Sequence, residues 1–199
     1  MTRKIVLGQS PQISAAELDS LLPKLDSILE YLSRDFFQSR TSYLPEIRAL
    51  NNALGEGLKT VADMNQRAEV VECIKNIKLN LEKLTQSINK KLTRRVLLSR
   101  WAVEEVTNLI NKTRECILYL DLQISCADET HQNNLRQESQ RCIQTCQAYY
   151  KNHLKRLSEG TCYLESCIIY EPILNSFTEI FTHISTCAEK INNRPMRAG

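Results

Sequence analysis

The sequence predicts an all-α fold: a bundle of about six helices, with long antiparallel members packed at a left-handed angle. Three observations lead there. Between residues 96 and 124, Val96, Val103, Ile110, Ile117 and Ile124 recur every seven residues, with Val106, Thr113 and Leu120 between them. Upstream, Val70, Ile74, Ile77, Leu81, Leu84 and Ile88 alternate steps of four and three. Two adjacent seams of this period imply helices crossing at about +20°. Finally, Gly and Pro number only five each in 199 residues, and no stretch alternates apolar and polar side chains as a strand would.

In chain order, residues 1–12 read as a flexible lead-in, closed by Ser10-Pro11. Ser14 and Glu17 have the spacing of a capping box, and Ile13 and Leu18 that of a hydrophobic staple. The helix they start carries Leu21, Leu22, Leu25, Ile28, Leu29, Leu32 and Phe36 to about Ser39, with a kink or restart expected at Pro23. Pro45 and Glu46 suit the first turn of a second helix, on which Gly55 and Gly57 mark either a close approach or a soft spot. The third helix follows, then the basic run Asn89 to Arg95, then the Val96–Ile124 helix with Thr93 as its candidate N-cap. Its predicted core comprises Trp101, Val103, Val106, Ile110, Ile117, Leu120 and Ile124.

Residues 126–141 are polar and read as a turn capped by Asp128 and an exposed helical stretch. Apolar positions resume at Cys142, Cys146, Tyr149, Tyr150, His153, Leu154 and Leu157, and Gly160 stops the helix. A last helical region follows Thr161, kinked or broken before Pro172, with a face of Leu174, Phe177, Ile180, Phe181, Ile184, Cys187 and Ile191. One domain over 13–192 results, with 13–125 as a core bundle, 126–192 as a helical hairpin packed on it, and 193–199 as a flexible tail.

A chain of this length buries about 70% of its unfolded surface, so it needs neither disulfide nor metal to fold. Its net charge of +3 is too small to point to nucleic acid by itself. Nucleic acid is therefore not expected as a partner. No run approaches the roughly 18 apolar residues of a membrane span. A secretory segment needs an apolar stretch of about 7–15 residues, and the N-terminus offers only Ile5 to Leu7. A cytoplasmic location is expected, with peripheral membrane association as the variant. In a reducing compartment the eight cysteines behave as small buried hydrophobes.

Motifs for chemistry are sparse. Phosphate-binding glycine loops, HExxH and nucleophile elbows are missing from the sequence, so an enzyme is not expected. Of the histidines, His131 falls in the polar turn, and His183 is one turn from both Glu179 and Cys187. Cys142 and Cys146, one turn apart and followed by His153, with Cys162 and Cys167 beyond, offer a thiolate metal site as an alternative. The spacing is not that of a zinc knuckle, and neither a metal nor a cofactor is the expectation. Lys90, Lys91, Arg94 and Arg95 form a basic turn suited to an acidic partner or anionic lipid, or else simply a solvated turn.

Residues 43–125 also resemble a known family. The leucine-rich YLPEIRALNNALGEGL precedes VVECIKNIKLNLEKL with Cys73, then the basic KKLTRR, then the Trp-bearing SRWAVEEVTNLINKTRECILYLDLQIS. This order resembles the N-terminal helical domains of fungal NOD-like receptors and related HeLo-like proteins. More distantly, it is similar to the four-helix bundle of the mixed lineage kinase domain-like pseudokinase. Basic linker then Trp, here Arg94, Arg95 and Trp101, is its most specific part. The resemblance implies a signalling bundle that self-associates and, in some members, engages anionic membranes in cell death. The expected function is thus a non-enzymatic protein-interaction module, with anionic-membrane binding as its alternative.

Overall fold

The structure, a computed structural model, describes residues 20–37, 42–63, 68–126 and 129–192. Six helices fill them: α1 (Leu22–Phe37), α2 (Leu44–Asp63), α3 (Ala68–Arg94), α4 (Arg100–Cys126), α5 (Glu129–Ser158) and α6 (Cys167–Asn192). A 3-10 turn, Leu164–Ser166, leads into α6, and no strand occurs among the described residues. The all-α bundle expected from the seams is the observed fold. The proposed capping box and staple at 13–18, and the Asp128 cap, lie outside the described residues.

Four helices form a ring around the core: α3 packs on α6, α6 on α4, α4 on α1, and α1 on α3. Helices α3 and α4 thus sit on a diagonal although they are consecutive. Helix α5 lies against α4 and α6, and α2 against α1 and α3. Direction follows from the polar contacts. Glu69 at the start of α3 meets Lys190 at the end of α6 at 3.2 Å. Arg114 of α4 meets Asp26 of α1 at 2.7 Å, and Arg156 near the end of α5 meets Glu105 near the start of α4. The ends of α1, α3 and α5 and the starts of α2, α4 and α6 consequently gather at one end of the bundle, the turn end.

The α3 seam is buried throughout, as are all seven positions read from the sequence on α6. Helix α6 touches α3, α4 and α5, and adds buried Ile169, Tyr170 and Ile173 in its first turns. On α4, Val106, Ile110, Thr113, Ile117, Leu120 and Ile124 are buried, and Val103 is partly buried against the core.

Trp101 departs from expectation: it is 64% exposed, not core. Its face explains this. Trp101, Glu105, Asn108 and Lys112 form the stripe of α4 that runs along α5, where Glu105 meets Arg156, Asn108 donates to Tyr149, and Lys112 pairs with Glu138. Helix α5 ends at Ser158. One turn before Glu105, Trp101 has run past that end, and no helix remains to cover it.

Local chemistry sets the boundaries. The Ser99 hydroxyl accepts from the Ala102 N–H at 3.2 Å, so Ser99, not Thr93, is the cap of α4. Thr93 instead donates to the Asn89 carbonyl inside α3. Both prolines are absorbed by helices. Pro23 sits in the first turn of α1, where its missing N–H costs nothing, and α6 continues through Pro172. At Gly57 an added Cβ would fall 2.6 Å from Leu21 Cδ2, so this glycine permits a close approach, whereas at Gly55 the nearest atom would be Lys78 Cε at 3.7 Å.

Helices α3 and α5 end alike. Arg95 N–H donates to Leu92 O and Val96 N–H to Lys91 O, while Gly160 N–H donates to Leu157 O and Thr161 N–H to Arg156 O. Each is a Schellman end with a left-handed residue, at φ 53° for Arg95 and 67° for Gly160. The buried Val96 supplies the apolar contact that follows the first of them.

Candidate docking end and its polar network

The basic run sits at the turn end, but its members differ in role. Lys91 donates to the Phe36 carbonyl at 2.9 Å, and its ammonium lies 5.0 Å from the Phe36 ring centroid. It thereby satisfies a carbonyl at the end of α1. Burial pushes its pKa below the ordinary lysine value. Lys91 is a structural residue. Lys90, Arg94 and Arg95 make no ion pair among the described residues and remain available; Arg100 is held by Glu104 at 2.8 Å.

Around these charges lie large apolar side chains with no cover. Leu97, in the α3–α4 turn, is 72% exposed, and Trp101 follows it. Tyr163 and Leu164, in the α5–α6 connection, are 70% and 79% exposed. Both connections belong to the turn end, and the α5–α6 chain leaves α5 level with Trp101. Phe37, the last residue of α1, is also exposed there. The acidic Glu104, Glu159 and Glu165 are exposed at the same end. An apolar group rimmed by charges of both signs is the common anatomy of a protein interface, with Trp and Arg enriched at its centre.

Behind this surface runs a chain of buried polar groups that sequence reasoning missed. The Arg156 guanidinium donates twice to the Glu105 carboxylate, at 2.9 and 2.7 Å, and both side chains are nearly buried. The buried Tyr170 hydroxyl also donates to Glu105. Burial, then the neighbouring carboxylate, raises the Tyr170 pKa. The Tyr170 ring lies 4.7 Å from the His153 ring. His153 is 1% exposed, and burial first, then the Arg156 charge, lowers its pKa, so it is neutral at pH 7.

The His153 imidazole stands between two thiols, with Nε2 at 3.4 Å from Cys167 Sγ and Nδ1 at 3.8 Å from Cys162 Sγ. Cys162 also lies 3.1 Å from Ser166 Oγ. Cys167 is the first residue of α6. Burial pushes its thiol pKa up, and the nearby Cys162 adds to this. A Cys–His pair acting as a hydrolytic nucleophile needs its base oriented by a third group. Here the second ring nitrogen faces another thiol instead of a carboxylate or amide.

The four cysteines considered as metal ligands do not converge. Cys142 of α5 neighbours Cys116 of α4, and Cys187 of α6 neighbours Cys73 of α3. The partner thiol in each pair, then burial, pushes the Cys116 and Cys187 thiols up. Cys146 stands apart, its pKa pushed up to about 12 by burial. Cys162 and Cys167 share His153 through opposite nitrogens, a geometry unsuited to chelating one ion. Among the described residues no group of three or more His, Cys, Asp or Glu side chains is placed to hold a metal. His183 faces Glu179 at 3.9 Å, an ordinary one-turn contact. No described helix is long and apolar enough to cross a membrane.

Glu105, Arg156 and Tyr170 were invisible in the sequence because they come from three helices separated by up to 65 residues. One signal pointed their way: Glu105 and Arg156 fall on or beside apolar stripes where a solvated charge is not expected. None of the protein-family models, characterised proteins or solved structures compared with this chain matches it.

Proposed function

We propose that this protein is a non-enzymatic docking module that binds a protein partner through its turn end. One observation carries the reading: Leu97 in the turn between two long helices and Trp101 at the start of the second are exposed, with the cations Arg94 and Arg95, unpaired among the described residues, beside them. Burying one such side chain contributes about 1.5–3 kcal/mol, enough for a few of them to anchor an interface. The buried Glu105–Arg156–Tyr170 network supports the role by holding the starts of α4 and α6 against the end of α5. The resemblance of residues 43–125 to HeLo-like domains favours immune or cell-death signalling as the setting.

A second reading has its own observation. Lys90, Arg94 and Arg95 have no ion-pair partner among the described residues and lie next to an exposed Trp, a combination that also suits an anionic lipid surface. Against it stands the exposed Glu165 at the same end, which such a surface repels, while Glu104 and Glu159 neutralise Arg100 and Lys155 there. Flotation with vesicles containing phosphatidylserine, at low and physiological salt, separates the two. The protein-docking reading predicts flotation that fades at physiological salt. Flotation that persists at physiological salt and is lost in Leu97→Ser/Trp101→Ser replaces it with the membrane reading.

A further inference from the structure

We infer that Cys162 and Cys167, gathered around His153, form a thiol-oxidation site in which a hydroperoxide converts the pair to an intramolecular disulfide. Of the seven free cysteines whose burial is described, these are the two that are not buried. The other five are buried in the core. Both open sulfurs contact one imidazole, from opposite ring nitrogens, and they are five residues apart on a connection whose middle is a tight 3-10 turn. Forming the disulfide therefore requires this short connection to fold the sulfurs past the ring. Cys167 opens a helix of 26 residues, and because burial holds its thiol protonated, its reaction needs the base beside it. His153, almost fully buried, places Nε2 3.4 Å from that sulfur, and in the tautomer protonated at Nδ1 this nitrogen accepts the thiol proton.

The chemistry balances with the peroxide as sole oxidant. Cys167 loses its proton to His153 Nε2, and its sulfur attacks one peroxide oxygen. The S–O bond forms as the O–O bond breaks, and the leaving oxygen takes the proton from His153 to depart as an alcohol or water. Sulfur is oxidised by two electrons and the peroxide is reduced by two. Cys162 sulfur then attacks the sulfenic sulfur of Cys167: the S–S bond forms, the S–O bond breaks, and the hydroxyl leaves with the Cys162 proton as water. Tyr163 and Leu164 lie between the two cysteines, so the disulfide would close the loop that displays them. The site stands whether or not the turn end docks a protein, since its readout is the thiols themselves.

The test exposes the intact protein to hydrogen peroxide and follows free thiols by alkylation and peptide mass spectrometry. The expected result is loss of two of the eight thiols, with a Cys162–Cys167 disulfide mapped. Cys162→Ser should stop at a sulfenic acid on Cys167 that a dimedone probe traps, and Cys167→Ser should abolish both products. His153→Gln should slow the loss by about tenfold or more. Should that buried variant not fold, Cys162→Ser and Cys167→Ser, both at half-exposed positions, decide the matter. Oxidation that begins at any of the other six cysteines, Cys126 included, or that proceeds at an unchanged rate in Cys167→Ser, overturns the assignment.

Discussion

Two regions built from the same helices have opposite characters. Along the α3–α6 seam, Ile74, Ile77, Leu81 and Leu84 face Phe177, Phe181 and Ile184, all essentially without exposure. At the turn end the same two helices meet charges, a buried carboxylate, two thiols and a histidine, while Leu97, Trp101, Tyr163 and Leu164 are left in water. The seam is held by non-directional burial, which tolerates any well-fitting apolar set. The turn end relies on specific partners, and removing one leaves another unsatisfied. Stability and recognition are therefore divided along the length of the bundle.

The largest expected effects test that division. Phe177→Ala should cost about 3–5 kcal/mol in urea unfolding, because the cavity forms where neighbouring helices cannot collapse. Glu105→Gln should cost about 3 kcal/mol, since Arg156 is then buried without its countercharge. The two differ in rescue: Arg156→Met in the Glu105→Gln background should recover much of the loss, and an additive double-mutant cycle would show that the pair is not coupled.

At the two Schellman ends the comparison becomes sharper. Arg95→Gly should stabilise by about 1 kcal/mol, because Arg95 holds a conformation natural to glycine, while Gly160→Ala should destabilise by a similar amount. Equal signs for the two, by thermal unfolding, would contradict the shared motif. Within α2, Gly55→Ala should gain about 0.8–1 kcal/mol from helix propensity. Gly57→Ala should gain less or lose stability, as its Cβ meets Leu21.

Sequence alone made the seam legible and the turn end largely opaque. The α3 repeat and the α6 face were readable because a helix that buries one side must repeat its apolar residues at its own period. The place of Trp101 on an apolar helix points to the core, yet what exposes it is where α5 stops, a length that the α4 pattern does not contain. Lys91 looked like its neighbours in the basic run, and only the position of Phe36 makes it structural. Pro172 signalled a break, but the packing of α6 against three helices keeps it whole. Periodicity reports which face is covered; it does not report which partners meet across the covered face.

A smaller effect is expected with pH. Burial lowers the folded pKa of His153 below its ordinary 6.5, so the unfolded chain binds the proton more readily. Stability should be fully present above about pH 6.5 and decline as pH falls toward the folded value. His153→Gln should flatten this part of the pH profile, measured by urea unfolding between pH 7 and pH 5.

The central claim, that the turn end is the docking surface, is tested most directly by photo-crosslinking in cells that express the protein. A photoreactive amino acid replaces either Trp101 at the turn end or Leu79, which is 50% exposed on the side of α3. The account predicts a discrete crosslinked protein from position 101, absent from position 79 and lost when Leu97→Ser is added. Equal products from both positions, or products from position 79 alone, would contradict it.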